Sequence, residues 1–224
     1  MIGDLTQSGT CERMIVEAFR SQPVATAKLV LSNVRFEWEK GANDLDALLV
    51  KWGWDGEDLA ALFDGTVKRA YLDEKLHIVG QCRGRQLVDT LISRTYKKEA
   101  AAAIVSHLIE TCDFTDRTVY GEQDIIERLP LADHSIYQAL QAIGLDYAAY
   151  CDPNGAFFWG PPDEAQDAVA SFTHDDDVFG FSPLRAGRYL LDVFASPVWH
   201  SQVVELVKGE VTTRYFVEGV RHTL

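Results

Sequence analysis

Hydrophobic and polar positions alternate in short bursts along most of the chain, and the period changes only in the middle. Up to Pro23 polar and apolar residues mix without a clear period, which suggests a short helix or an arm over 1–26. From Ala27 strand patterns begin. Lys28-Leu29-Val30-Leu31 is a compact run, and Val34, Phe36 and Trp38 alternate with Arg35, Glu37 and Glu39, the period of two of a half-buried strand. Leu48 to Trp54, Leu62 to Tyr71 and Leu76 to Cys82 continue the pattern, separated by Gly41–Asp44, Asp55-Gly56 and similar turn residues. Such a series predicts a small antiparallel barrel or sandwich.

Between Lys97 and Cys112 the period changes. Ala101, Ile104, Val105, Leu108, Ile109 and Cys112 fall on one stripe of an amphipathic helix. A shorter helix follows, with Ser135 and Gln138 spaced as a capping box, Ile136, Leu140 and Ile143 as its stripe, and Gly144 at its exit. Leu145–Cys151 and Ala156–Trp159 read as two strands around Asp152-Pro153-Asn154-Gly155, a turn that uses Pro to fix φ and Asn-Gly to tolerate positive φ. After Pro161-Pro162 strands return at Val169–Phe172, Tyr189–Phe194, Gln202–Val207 and Val211–Val220, the last pair joined by Lys208-Gly209-Glu210. The expected fold is mainly β with an α+β insertion, two small antiparallel β-barrels flanking a small α/β subdomain. The division is an N-terminal arm over 1–26, a first barrel over 27–96, a middle subdomain over 97–163 and a second barrel over 164–224, free to pack with the first.

Composition narrows the function more than the fold. The 224 residues carry a formal net charge of -13, and Lys and Arg together number 21 against 34 acids. A reader of nucleic-acid sequence needs the opposite balance, clustered cations that displace counterions from phosphates. No run approaches the roughly 20 apolar residues of a membrane span. The first residues lack the basic-then-apolar plan of a signal peptide, so the expected setting is a cytoplasm.

Candidate chemistry is thin. Cys11, Cys82, Cys112 and Cys151 are scattered with no C-x-x-C pair, the pattern of buried packing thiols rather than of a zinc or redox centre. His174-Asp175-Asp176-Asp177 offers hard-cation ligands, but the glycine and distal glutamate of a calcium loop are missing, so a solvated acidic loop is the simpler reading. His107 falls off the helical stripe, where a solvated side chain is expected. Gly80-Gln81-Cys82-Arg83-Gly84-Arg85 lacks the lysine of a phosphate cradle, and no nucleophile elbow or H-E-x-x-H pair is present. No acid pair stands out among the 34 for glycosidase chemistry. No catalytic, cofactor-binding or metal-ligating residue is therefore assigned, and no cofactor is expected.

Three ordered segments resemble the hub proteins of contractile phage tails, including Mu-like tail proteins and the late control D group. The first is Phe63 to Arg69 followed by His77 to Asp89, which is similar to the passage closing the family's first barrel. The second runs from Arg94-Thr95-Tyr96 through the helix carrying Ile104-Val105, Ile125 to Pro130 and the Ser135 helix, to the hairpin with Asp152 and Gly155. The third comprises Ala195-Ser196-Pro197, Val203 to Leu206 and the closing Tyr215 to His222, with its V-x-x-V-x-H ending. The resemblance covers Ala27 to the end.

It implies a structural, non-enzymatic subunit of a phage or prophage baseplate hub. Such a subunit would be assembled in the host cytoplasm into the virion tail, as a trimer joining the tail tube to the spike. Two similar barrels per chain would give that ring pseudo-sixfold symmetry. An acidic lumen would let DNA pass as cargo without adhering. The alternatives are a tail-associated cell-wall hydrolase and the hub of a contractile injection system.

Overall fold

The computed structural model describes residues 11–32, 47–53, 59–163, 166–194 and 196–224. In chain order its first strands are β1 (Cys11–Phe19), β2 (Thr26–Ser32), β3 (Ala47–Trp52), β4 (Ala60–Leu72) and β5 (Lys75–Cys82). The short helix α1 (Arg85–Asp89) leads to β6 (Leu91–Ala100), α2 (Ala101–Glu110), β7 (Arg117–Val119), β8 (Ile125–Ser135) and α3 (Ile136–Ala142). Then come β9 (Ala148–Cys151), β10 (Phe157–Gly160), β11 (Ala168–Thr173), β12 (Val178–Pro183), β13 (Tyr189–Val193), β14 (Val203–Lys208), β15 (Val211–Phe216) and β16 (Gly219–Thr223).

The protein is mainly β, as the alternation predicts, but its sheets are open. The largest is antiparallel throughout, in the order β16-β1-β2-β5-β4-β3. Its inward face is a strict alternation, clearest on β5, where Leu76, Ile78, Gly80 and Cys82 are buried and the residues between them are half-buried. The other sheets are β7-β10-β9, β11-β14-β15, β12-β13 and β6-β8. Among the described residues none of these sheets closes on itself, so the two-barrel arrangement is not seen; the strand count fits barrels, but the pairing leaves free edges at β16 and β3.

Two segments depart from the sequence reading in an instructive way. Cys11–Phe19, inside the stretch expected to be an arm or short helix, is a strand held between β2 and β16. Its buried run Met14-Ile15-Val16 hides the period of two, because the strand has neighbours on both edges and is covered over more than one face. The closing segment, expected as one strand over Val211–Val220, is two. The chain leaves β14 at Phe216, crosses at Val217-Glu218, and re-enters pairing beside β1, where Leu224 and Met14 exchange backbone hydrogen bonds of 3.0 and 3.1 Å. Gly219 permits the crossing: a Cβ there would overlap the ring of Phe19, its partner in register.

The alternating stretch Val34–Trp38, the turn Gly41–Asp44 and Trp54 with Asp55-Gly56 lie outside the described residues. So does Ala195.

The middle of the chain packs onto the large sheet. The stripe of α2 is buried as predicted, with Ala101, Ile104, Val105, Leu108 and Ile109 fully enclosed and Cys112 just beyond. The helix begins at Ala101, because Leu91–Ala100 is committed to a ladder of eight residue pairs with β8. The capping box of α3 forms in full. Ser135 Oγ accepts from Gln138 N at 3.1 Å and Gln138 Oε1 accepts from Ser135 N at 2.9 Å. One large hydrophobic cluster joins β1–β5, all three helices, β9, β10 and Trp199; a smaller one under β11, β12, β13 and β14 is built on Phe172, Val198, Val204 and Leu206.

Candidate functional site

The hairpin β9–β10 sits where the sequence placed it, and its turn shows what the residues do. Asp152 Oδ1 accepts from Asn154 N at 2.8 Å and from Ala156 N at 2.9 Å, while Gly155, at φ +84°, takes the left-handed conformation. The turn lies against the end of β5, with Arg83 Cδ 3.2 Å and Asp64 Oδ2 3.6 Å from where a Gly155 Cβ would be. Asp152 and Gly155 therefore shape a contact between units.

Beside this hairpin is a polar cavity of 630 Å³ lined by Tyr150, Asp152, Trp199, His200, Ser201 and Gln202, among others. Serine, histidine and aspartate meet there, the residue types of a nucleophilic site. Ser201 Oγ is 3.1 Å from His200 Nδ1. The pair is adjacent in sequence, and the Asp152 carboxylate is already engaged by the two turn amides. Burial and the nearby Arg20 guanidinium push His200 down to about 3. A general base must accept a proton near neutral pH, and this imidazole is held neutral by its surroundings. Tyr150 stands edge-on to it with ring centroids 4.5 Å apart, an arrangement of packing. The constellation braces the region after Ser196 against the hairpin.

The other sequence candidates are also accounted for. In the loop His174–Asp177, Asp177 Oδ2 accepts from Thr173 N at 2.7 Å and His174 Nδ1 lies 2.9 Å from Asp175 Oδ1. Among the described residues no group of three or more His, Cys, Asp or Glu is arranged to hold a metal ion. Cys112 is buried at the end of the α2 stripe. Cys82 and Cys151 are both buried; Cys82 Sγ accepts from Ala25 N at 3.1 Å and donates to the Pro23 carbonyl at 3.7 Å. The Cys82–Arg85 segment is the turn into α1, closed by an Arg85–Asp89 ion pair of 2.5 Å. Gly84 is packed against the chain before β2, since a Cβ there would overlap the Pro23 carbonyl.

His107, expected in solvent, is half-buried and doubly bonded. Arg94 Nη1 donates to Nε2 at 2.6 Å, which puts the ring proton on Nδ1, 2.7 Å from Tyr96 Oη. Arg94 and Tyr96 lie on one face of β6, so the Arg-Thr-Tyr segment is the clasp that holds α2. His107→Ala is expected to cost about 1–2 kcal/mol in chemical denaturation, because it leaves the Tyr96 hydroxyl without its partner. An unchanged unfolding midpoint would show that the clasp is incidental.

What the sequence missed is a surface. Among the described residues β12 and β13 form a two-stranded ribbon that is not paired with any other sheet. Phe179 is 65% exposed, and Leu184, Leu190 and Phe194 are also exposed along it. Phe181 and Tyr189 stack on each other at 5.0 Å and, with Tyr215, line an open groove of 1630 Å³ that reaches Phe19 and Trp159. The dense aromatics were visible in the sequence, but strand aromatics facing a core and facing outward carry the same pattern.

The architecture can be compared with solved structures. A tail protein of Neisseria meningitidis superposes with a TM-score of 0.69 at 12% identity, over 96% of this chain and 88% of that one. The fold is that of a phage tail protein. A 43 kDa tail protein of prophage MuSo2 from Shewanella oneidensis gives 0.55 at 12% identity, over 90% of this chain and 68% of that one. An Escherichia coli component of the type VI secretion system, itself described as similar to the T4 bacteriophage tail proteins gp27 and gp5, gives 0.64 at 8% identity, over 96% and 70%. No protein-family model matches the sequence, and no curated protein matches it. Among the described residues no helix is long and apolar enough to cross a membrane.

Proposed function

We propose that this chain is a structural subunit of a contractile tail baseplate, a hub component that assembles as a trimeric ring between tail tube and spike. The observation that carries the reading is the tail-protein fold spanning 96% of the chain. Phage tail and type VI secretion proteins share it, so the reading covers a phage or prophage virion and a contractile injection system alike. The constellation most like an active site is instead committed to packing, which favours a structural role over cell-wall hydrolysis.

The ribbon supports assembly. An unpaired pair of strands with Phe179, Leu184, Leu190 and Phe194 in water is the kind of patch a subunit buries against a neighbour. Its ends are oppositely charged, with Asp175, Asp176 and Asp177 at the base and Arg185 at the tip, so copies arranged head to tail around a ring would match charges. The net charge of -13 suits a ring whose lumen passes DNA without holding it.

The test is the mass of the purified protein by light scattering, alone and mixed with the tube and spike proteins encoded beside it. A trimer, or a complex that forms with tube or spike, is expected. A Phe179→Asp, Leu190→Asp double variant should keep the fold and lose the assembly. A monomer indifferent to both partners overturns the proposal.

A further inference from the structure

The chain's asparagines are Asn33, Asn43 and Asn154, and of these Asn154 alone is followed by glycine. That dipeptide carries a chemistry of its own. The backbone nitrogen after an asparagine attacks the side-chain carbonyl carbon most readily when it belongs to glycine, because no Cβ crowds the approach. Asn154 stands at the tip of the β9–β10 turn with its side chain exposed, so water reaches it freely. Gly155 is buried, packed toward Arg83 and Asp64. The reactive pair thus sits where the hairpin meets the large sheet.

The folded turn withholds the nitrogen. Gly155 N–H donates to the Asp152 carbonyl at 3.0 Å, which closes the four-residue turn. Asp152 Oδ1 accepts the amides on either side, from Asn154 N at 2.8 Å and Ala156 N at 2.9 Å. Asp152 N in turn donates to the Ala156 carbonyl at 2.9 Å. One residue therefore binds the three successive amides of 154–156 and is itself tied across the base. Pro153 stiffens the turn further by fixing φ at its second position. For the attack, the Gly155 nitrogen must give up its hydrogen and turn toward Asn154 Cγ. Both steps are opposed while Asp152 holds the turn.

We propose that Asn154 is a latent deamidation site, held closed by Asp152 in the folded turn and released when the turn opens. In the open turn the Gly155 nitrogen bonds to Asn154 Cγ and the bond from Cγ to the side-chain nitrogen breaks. That nitrogen leaves as ammonia, carrying the proton given up by Gly155. Water then adds across one of the two ring C–N bonds of the succinimide and opens it. Opening at Cγ gives aspartate; opening at the main-chain carbonyl gives isoaspartate, whose backbone runs through the side chain. The balance is one asparagine and one water giving one aspartate or isoaspartate and one ammonia. Either product adds a negative charge to a turn that already holds Asp152 and rests near Asp64. Isoaspartate also lengthens the chain by a methylene beside Gly155, where a Cβ would already lie 3.2 Å from Arg83 Cδ. The modification thus pries the hairpin away from the large sheet.

The experiment incubates the full-length protein in mildly alkaline buffer, folded and in urea. Peptide mass spectrometry follows Asn154, with Asn33 and Asn43 as internal controls. Asn154 is expected to convert at least about tenfold more slowly in the folded protein than in urea. Folded Asp152→Ala should convert about tenfold faster than folded wild type, whereas Asp152→Asn, which keeps an accepting oxygen, should stay slow. Converted wild type, separated by its extra negative charge, should melt about 4 °C or more below the unconverted protein. If Asp152→Ala does not fold, the comparison of folded and urea-treated wild type still decides. Equal rates in the folded and unfolded chain, an Asn154 that survives in urea, folded Asp152→Ala as slow as wild type, or converted protein with an unchanged melting temperature would each overturn the proposal.

Discussion

Between pH 6.5 and pH 5 the isolated protein is expected to lose stability, at about 1.4 kcal/mol per pH unit through His200 alone. The imidazole is 3% exposed, wedged between Tyr150 and Trp199, and held down to about 3 chiefly by its burial and secondly by the Arg20 charge. In the unfolded chain the same group takes up a proton near pH 6.5. Its folded value is the lower one, so the stabilisation is complete above the unfolded value and is lost as pH falls toward the folded one. Below pH 6.5 only the unfolded state binds the proton, and folding weakens. His222 pulls in the same direction, since its burial outweighs the hydrogen bond it donates to the Val198 carbonyl at 3.0 Å.

Carboxylates begin to contribute only nearer pH 5, which makes the upper window the clean one. His200→Gln keeps a polar side chain of similar reach without the titration, and it should flatten the dependence between pH 6.5 and pH 5 by half or more. Urea midpoints at four pH values measure it. Equal slopes in wild type and variant would mean that His200 titrates normally and that the cavity around it is wet.

These effects were not legible in the sequence, and the reason is specific. His200 follows Trp199 in a stretch without a clear period, and its burial comes from Tyr150, about fifty residues away. His107 misled for the related reason that a position off a helical stripe faces solvent only if no strand lies there, and β6 does. What was legible was local. The Ser135 capping box, the α2 stripe, the Asp152–Gly155 turn and the strands β2, β4 and β5 each rest on interactions within a few residues or on an alternation with one buried face. The misses are pairing decisions: β1 entering the centre of a sheet, β16 returning to it, and β12 leaving the acidic loop. Strand partners depend on register between distant segments, which a period of two does not encode.

Trp159→Ala is expected to be the most damaging single truncation, at about 3–5 kcal/mol, or roughly 8–15 °C in melting temperature. The indole lies in β10, the middle strand of its sheet, 1% exposed and edge-on to Tyr147 with centroids 4.7 Å apart. Its far edge rests on Gly121, which has no side chain to fill the gap left behind; a Cβ there would already be 3.2 Å from Trp159 Cζ3. Both β7 and β9 pair with this strand, so neither can move in to collapse the cavity. Phe179→Ala removes another large aromatic, but from the exposed ribbon, and should stay within about 0.5 kcal/mol in the isolated chain. In an assembly assay with tube and spike proteins the order should reverse, with folded Trp159→Ala chains still associating at low temperature and Phe179→Ala chains associating less. If Phe179→Ala instead destabilises the isolated chain as much as Trp159→Ala, the outer face of the ribbon is packed in the monomer and is not a surface kept for a neighbour.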